Sequence, residues 1–266
     1  MLLRNVALAT ALLVVITPSV LADEPGSDRS LMLDASRQHG PMIVHERHGT
    51  NVSSDNWAGY AVTGSKGSVT DVKATWTVPA IVGTCPSTDQ YASFWVGIDG
   101  YSSSTVEQIG TDSDCTNGKP VYYAWFEFYP HPSFNIKSLA IQPGNTISAE
   151  VEADGGGKFT VTLTNETTQQ TFSTSTKIKS ADQSSAEWIA EAPSGGGIAS
   201  LADFGSISFT GPNTATIETV TRPIGSFPAN EVYEITMVGS TGAPKALPSV
   251  LTSSSAFSVT WASAGP

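Results

Sequence analysis

From residue 51 onward, apolar and polar side chains alternate with a period of two. In "DVKATWTVP", Val72, Ala74, Trp76 and Val78 fall on one face and Lys73, Thr75 and Thr77 on the other, the pattern of a half-buried strand. "TISAEVEADGGGKFTVTLTNETT" alternates Ile147, Ala149 and Val151 with Ser148, Glu150 and Glu152. It then turns through Asp154-Gly155-Gly156-Gly157 and alternates Phe159, Val161 and Leu163 with threonines, which predicts a β-hairpin. "GSISFTG", "EVYEITMV" and "AFSVTWAS" add strands, and no segment carries a helical period with caps. The Ser/Thr/Pro-rich stretch from Ser240 to Ser255 reads as a loop before the last strand. Many strands joined by Gly/Pro turns predict an all-β domain of two packed antiparallel sheets, a sandwich or barrel.

Three segments break the rule that the polar face is Thr, Ser and Lys. "YASFWVGIDGYSS" puts Trp95, Gly97 and Asp99 on one face, and "VYYAWFEFYPHP" does the same for Tyr123, Trp125, Glu127 and Tyr129. "SAEWIAEAPSGGG" aligns Glu187, Ile189 and Glu191, and the intervening "VEQIGTD" aligns Val106, Gln108, Gly110 and Asp112. One such face is ordinary strand chemistry with edge charges. Several together predict a concave groove that grips an extended peptide or sugar.

The amino-terminal residues follow a different pattern. "MLLRNVALATALLVVITPSVLADEP" has one early Arg, an apolar run from Val6 to Ile16 and a small-residue site at Val20-Leu21-Ala22. Residues 1–22 therefore read as a secretory signal peptide, the apolar run being too short for a membrane span. Residues 23–50 are charged and irregular and hold Arg29, Arg37, Arg47 and three of the four histidines, His39, His45 and His48. They read as a pro-segment or disordered extension. Either they lie over an acidic cleft near neutral pH and are cut off on acidification, or they are an export spacer. Residues 51–266 suit one β-sandwich domain, secreted, extracellular and monomeric.

Charge narrows the partners. From residue 51 there are nine Lys and Arg against nineteen Asp and Glu, so nucleic acid and anionic membrane surfaces are excluded as partners. Cys85 and Cys115 are the only cysteines. In an exported chain they read as one disulfide, which stabilises the fold by about 3.5 kcal/mol in the chain-entropy model.

Elimination then limits the chemistry. The mature region has one histidine, His131, between two prolines, and no Gly-x-Ser-x-Gly elbow, so a Ser-His-Asp triad has no natural seat. Metal ligands and phosphate-cradling glycine loops are lacking too, so no cofactor and no metal are expected. Carboxylate chemistry remains. Glu187 and Glu191 lie four positions apart on one strand, roughly 13 Å, beyond the ~5–9.5 Å span of a glycosidase pair. Glu191 and Glu127, on different strands, remain possible partners. A carboxylate base with an amide donor to an oxyanion would instead serve peptide hydrolysis.

"NWAGY" at Trp57, "FWVGIDG" at Trp95 to Asp99, "VEQIGTD" around Gln108, "AWFEFYP" around Glu127 and "AEWIAE" ending at Glu191 occur in that order. Together they make the chain, over about residues 54 to 210, resemble the glutamic peptidases (eqolisins), secreted acid endopeptidases of concanavalin-like β-sandwich fold. "APSGGGIASLADFG" departs from the acid- and Cys-rich sequence of fungal members, so the likeness is to a bacterial type. The resemblance implies Gln108 and Glu191 as the catalytic pair. It also implies that Trp57, Trp95, Asp99 and Glu127 line or support the cleft. Protein or peptide substrates follow, with Glu191 taking a proton from a water that Gln108 also holds and Gln108 then donating to the oxyanion. Glu187 reads as a structural or edge acid. The competing readings are a carbohydrate-binding or glycan-cleaving sandwich and a non-catalytic adhesion module, since fold does not fix function.

Overall fold

Period-two stretches rich in Val, Ile, Thr and aromatics bury one face of a pleated ribbon, and each one predicted above is a strand. The computed structural model describes residues 31–34 and 36–265, and the expected signal peptide lies outside them. In chain order the strands are β1 (Leu31–Asp34), β2 (Val44–His48), β3 (Asn51–Ser54), β4 (Trp57–Thr63), β5 (Val69–Thr77), β6 (Ser93–Ile98) and β7 (Val106–Thr116). Then come β8 (Lys119–Tyr129), β9 (Ser133–Ile136), β10 (Thr146–Ala153), β11 (Lys158–Asn165), β12 (Gln170–Lys177) and β13 (Ser185–Glu191). The chain ends with β14 (Ser206–Phe209), β15 (Thr214–Ile217), β16 (Val220–Pro223), β17 (Val232–Val238), β18 (Pro244–Pro248) and β19 (Phe257–Trp261).

The strands form two layers. The front layer runs β1-β9-β8-β7-β6-β13-β4-β17 in hydrogen-bonded order. The back layer runs β12-β11-β10-β5, with β14 and β15 beside β5 and β19 beside β14. Through β18, which pairs with both β17 and β19, the two layers are continuous at one edge. Pairing is antiparallel except between β3 and β17.

Between the layers the inward faces meet. Val72, Ala74, Trp76, Val151, Val161 and Leu163 of the back layer pack with Phe94, Val96, Ile109, Ala124 and Trp188 of the front one. Burying each large apolar side chain contributes ~1.5–3 kcal/mol. Indole N–H groups in this core find acceptors: Trp76 donates to Thr111 Oγ1 at 3.0 Å and Trp188 to the Lys73 carbonyl at 2.8 Å. Cys85 and Cys115 are bonded as expected, tying the loop after β5 to the end of β7.

Two expectations change. The stretch from Ser240 to Ser255 is not all loop, because Pro244–Pro248 forms β18 with Lys245 and Ala246 buried. Its five residues are too few for an alternation signal, and its neighbours β17 and β19 supply the pairing. Within residues 23–50, β1 pairs with β9 and β2 with β3, so the described part from Leu31 is ordered rather than a disordered extension. The 50/51 boundary falls inside the β2–β3 hairpin. In both cases the partner strand creates the strand, and local pattern does not show it.

Candidate active site

The outer face of the front layer is organised as three cross-strand rows. Trp57, Glu191, Ser93, Asp112 and Tyr123 are in register across β4, β13, β6, β7 and β8. The next row is Gly59, Ile189, Trp95, Gly110 and Trp125, and the third is Ala61, Glu187, Gly97, Gln108 and Glu127. The glycines make room for the large side chains. A Cβ at Gly97 would stand 2.9 Å from Trp95 Cζ3 and 3.3 Å from Gln108 Cβ. At Gly110 it would stand 2.6 Å from Trp95 Cβ. The Trp95 indole therefore lies over the sheet, packed edge-on against Trp57 with ring centroids 4.9 Å apart.

Glu191 ends β13, and its Oε2 accepts from Trp95 Nε1 at 2.7 Å. Its Oε1, like Gln108 Oε1, finds no hydrogen-bond partner among the described residues. Gln108 and Glu191 stand on the same face, two strands apart with β6 between them.

Residues 36–42 cross this face. Gln38 exchanges backbone hydrogen bonds with Ser194 at 2.9 Å each, and Met42 N–H donates to the Gly100 carbonyl at 3.0 Å. Between these anchors the Gln108 side-chain amide donates to the His39 carbonyl. His39 N–H donates to Glu127 Oε2 at 2.7 Å. The imidazole stacks on Trp125 at 3.5 Å with rings 7° from parallel. Arg37 is paired with Asp114 at 2.5 Å and Asp34 at 3.2 Å, with Asp112 at 3.8 Å. Arg37 and His39 of the amino-terminal segment thus lie over the acidic face.

The sequence profile of the Peptidase A4 family matches residues 55–261, a span that includes every residue of the three rows. The chain belongs to the Peptidase A4 family. Membership makes it a peptide-bond hydrolase of the glutamic peptidase (eqolisin) kind. It is 32% identical over 227 residues to Aspergillopepsin-2 of Aspergillus niger, covering 73% of this chain and 76% of that protein. It is 34% identical to Scytalidopepsin B of Scytalidium lignicola over 140 residues, 51% of each. Among solved structures it resembles aspergilloglutamic peptidase from Aspergillus niger, with TM-score 0.57, 29% identity, and coverage of 65% of this chain and 99% of that one. Scytalido-glutamic peptidase with a transition state analog inhibitor has the same fold, at TM-score 0.66 and 24% identity, covering 78% and 98%.

For this family member the electrostatics of the face follow from burial. Glu191 is pushed well above the ordinary carboxylate range by burial, with the Trp95 hydrogen bond opposing and the charges of Glu127 and Asp112 adding to the rise. Glu127 is raised to about 8, again by burial, against the His39 N–H. Asp112 and Asp114 are raised by burial, and Arg37 pulls both back. His39 is held well below its usual pKa by burial and by Arg37.

The residues expected at the site are brought together with one change of role. Trp57, Trp95, Gln108, Glu127 and Glu191 all share the face. Asp99 does not reach it. With φ of 74° it sits in the turn after β6 and accepts N–H bonds from Asp182, Gln183 and Ser184 at 2.7–2.9 Å, fixing the entry to β13. Glu187 is no edge acid: β13 is an interior strand, and Glu187 is fully buried in the row of Gln108. No local sequence signal marks Ser93 or Asp114, or the contact of His39 with Glu127. Alternation already placed Asp112 beside Gln108, so it was the one legible from the sequence.

Proposed function

We propose that this peptidase is a secreted, acid-active endopeptidase in which Gln108 and Glu191 activate water directly. The observation that carries the reading is that the Gln108 amide donates to a peptide carbonyl, that of His39, on the face where Glu191 stands. In a substrate complex, Glu191 as carboxylate takes a proton from water while the water attacks the scissile carbonyl carbon. The Gln108 amide donates to the oxyanion. Protonated Glu191 then gives its proton to the leaving amine as the C–N bond breaks. Burial that raises the Glu191 pKa favours this return step. The route needs neither an acyl-enzyme nor a metal.

Residues 31–50 act in this reading as a pro-segment that blocks the cleft until acidification. Acid protonates Asp112, whose pKa burial raises to about 6. Arg37 then loses an anionic partner on the cleft face and the segment loosens. Export is supported by the signal-peptide pattern of residues 1–22.

The test is casein hydrolysis between pH 2 and 7, with and without a chelator, by the full chain before and after incubation in acid. Activity is expected in acid, insensitive to the chelator and increased by the incubation. Glu191→Gln and Gln108→Ala should each lower kcat by roughly 10²–10⁴ with unchanged circular dichroism. Full activity in either variant, or activity confined to neutral pH, would overturn the assignment.

A further inference from the structure

Away from the cleft, a long, regular sheet edge borders an apolar cavity. Among the described residues, four strands pair on one side only: β1 with β9, β2 with β3, β16 with β15 and β12 with β11. Such edges invite pairing with another chain, and proteins blunt them with short length, bulges, proline or charge. Three of the four are blunted in this way. β1 and β16 have four residues each, and β16 carries Arg222 and Pro223. β2 has five, holds His45, Glu46, Arg47 and His48, and shifts register between Val44 and Glu46. β12 has none of these devices along its length. Its eight residues run in unbroken register with β11, from Lys177 opposite Lys158 to Gln170 opposite Asn165. It contains no proline, and its only charge is Lys177, at the end.

Beside that edge is a cavity of about 450 Å³, lined by Phe126, Phe128, Phe134 and His131 on one side and by Thr174 and Thr176 on the other. The rings belong to one stack: Phe126 lies 5.5 Å from both Phe134 and Phe172 and 5.8 Å from Phe128. Phe172, Thr174 and Thr176 form the inward face of β12, opposite the buried Leu163, Val161 and Phe159 of β11, yet they are only half-buried. No carboxylate among the described residues lines the cavity, although the chain has a formal net charge of −11. The edge and the cavity together fit an extended polypeptide. A segment laid along β12 adds a strand to the back layer and pairs its backbone with the groups that β12 leaves free. Every second side chain of the added strand then points inward, and an aromatic or large aliphatic one fills the cavity. A small apolar molecule would fill the cavity and leave the edge unpaired. A second copy pairing through its own β12 would bring Phe172 to that face, and Phe172 is already stacked on Phe126 of its own chain.

We propose that the free edge of β12 and the cavity beside it dock an extended, uncharged segment of a protein substrate, by strand addition with one bulky apolar side chain in the cavity. The inference rests on the reading of proteins as the substrates, and it gives long substrates a second hold that short peptides lack. Strand β8 links the two places. Its Phe126 and Phe128 face inward, and its Trp125 and Glu127 face the cleft.

Two measurements on the full chain test this. The first is hydrogen exchange of the Glu191→Gln chain at neutral pH, where residues 36–42 cover the cleft, with and without a capped eight-residue peptide of alternating Thr and Phe. The amides of Gln170–Lys177 should exchange roughly tenfold more slowly with millimolar peptide, and the same peptide N-methylated at alternate residues should protect nothing. The second is kinetics of the acid-incubated chain on casein and on a short peptide that spans only the cleft. Thr174→Lys puts a charge at the cavity and should raise KM for casein roughly ten- to a hundredfold, with kcat and both constants for the short peptide unchanged. Thr174→Val keeps the shape of the side chain and should keep the parent KM. Absence of protection at Gln170–Lys177, an unchanged casein KM in Thr174→Lys, or an equal loss on casein and the short peptide would each overturn the inference. So would protection that grows with protein concentration without peptide, since a second copy would then cover the edge. If casein is cut and any of these results appears, the docking edge alone falls; if neither casein nor the short peptide is cut, the reading of proteins as substrates falls, and the proposal with it.

Discussion

A single indole N–H sets the working range of the proposed base. Trp95 Nε1 donates to Glu191 Oε2 at 2.7 Å, and that bond favours the ionised carboxylate against the burial that opposes it. Trp95→Phe keeps the aromatic wall and removes the donor, so the Glu191 pKa rises further. The carboxylate form then appears only at higher pH, and the acid limb of the kcat/KM profile should move upward, with activity at the optimum falling roughly tenfold. An unmoved acid limb would mean that Glu191 is not the group titrating there. Glu187 and Glu191 look equivalent in the sequence, and their partners separate them: Glu191 has the Trp95 donor, whereas both Glu187 oxygens find none among the described residues.

Strand geometry decides how close the cleft side chains come. β6 and β7 carry Gly97, where an added Cβ would meet the Trp95 ring, and Gly110, where it would meet Trp95 Cβ and the Phe94 backbone. At Gly110 an added Cβ would lie 2.3 Å from the Phe94 carbonyl oxygen, a backbone atom of the adjacent strand that cannot swing away. Gly110→Ala should therefore destabilise the protein by at least the ~1–3 kcal/mol of ordinary overpacking, read as a lowered Tm. It should also reduce activity below the unfolding range, because Trp95 must move. Gly197, where an added Cβ meets nothing within 4 Å, is the contrast: Gly197→Ala should change stability by no more than about 0.5 kcal/mol. Equal effects at the two positions would remove the argument that glycine placement shapes the face.

For the molecule as a whole, buried acids govern the response to pH. Burial raises Glu107 to about 9 and Glu127 to about 8, and holds Glu187 and Glu191 well above the ordinary range. Each folded pKa lies above its unfolded value of about 4.3, so between the two the folded state binds more protons than the unfolded one. Stability then falls as pH rises. The contribution is complete below about pH 4.3 and is lost progressively toward pH 8–9. Tm measured from pH 3 to 9 should decline above about pH 5, and a maximum near pH 8 would contradict this account. The acidic composition does not tell which acids carry this response, because that depends on which ones are buried.

The strands of the sandwich, the inward faces of β5, β10 and β11, and the disulfide were legible in the sequence, because period-two alternation and cysteine chemistry act locally. The membership of the cleft face was also legible, since alternation placed Trp95, Gln108, Glu127, Glu187 and Glu191 on the faces of their strands that mix aromatics with acids or amides. The tertiary structure decided their register. Only the pairing of β13 with β6 and of β6 with β7 brings Glu187 into line with Gln108 and Glu191 into line with Asp112. It also decided the fate of residues 31–50, whose short strands exist because β9 and β3 offer them unpaired edges. His39, an ordinary residue in a charged stretch, gained its meaning there, since a contact with Glu127 across 88 positions leaves no trace in local sequence.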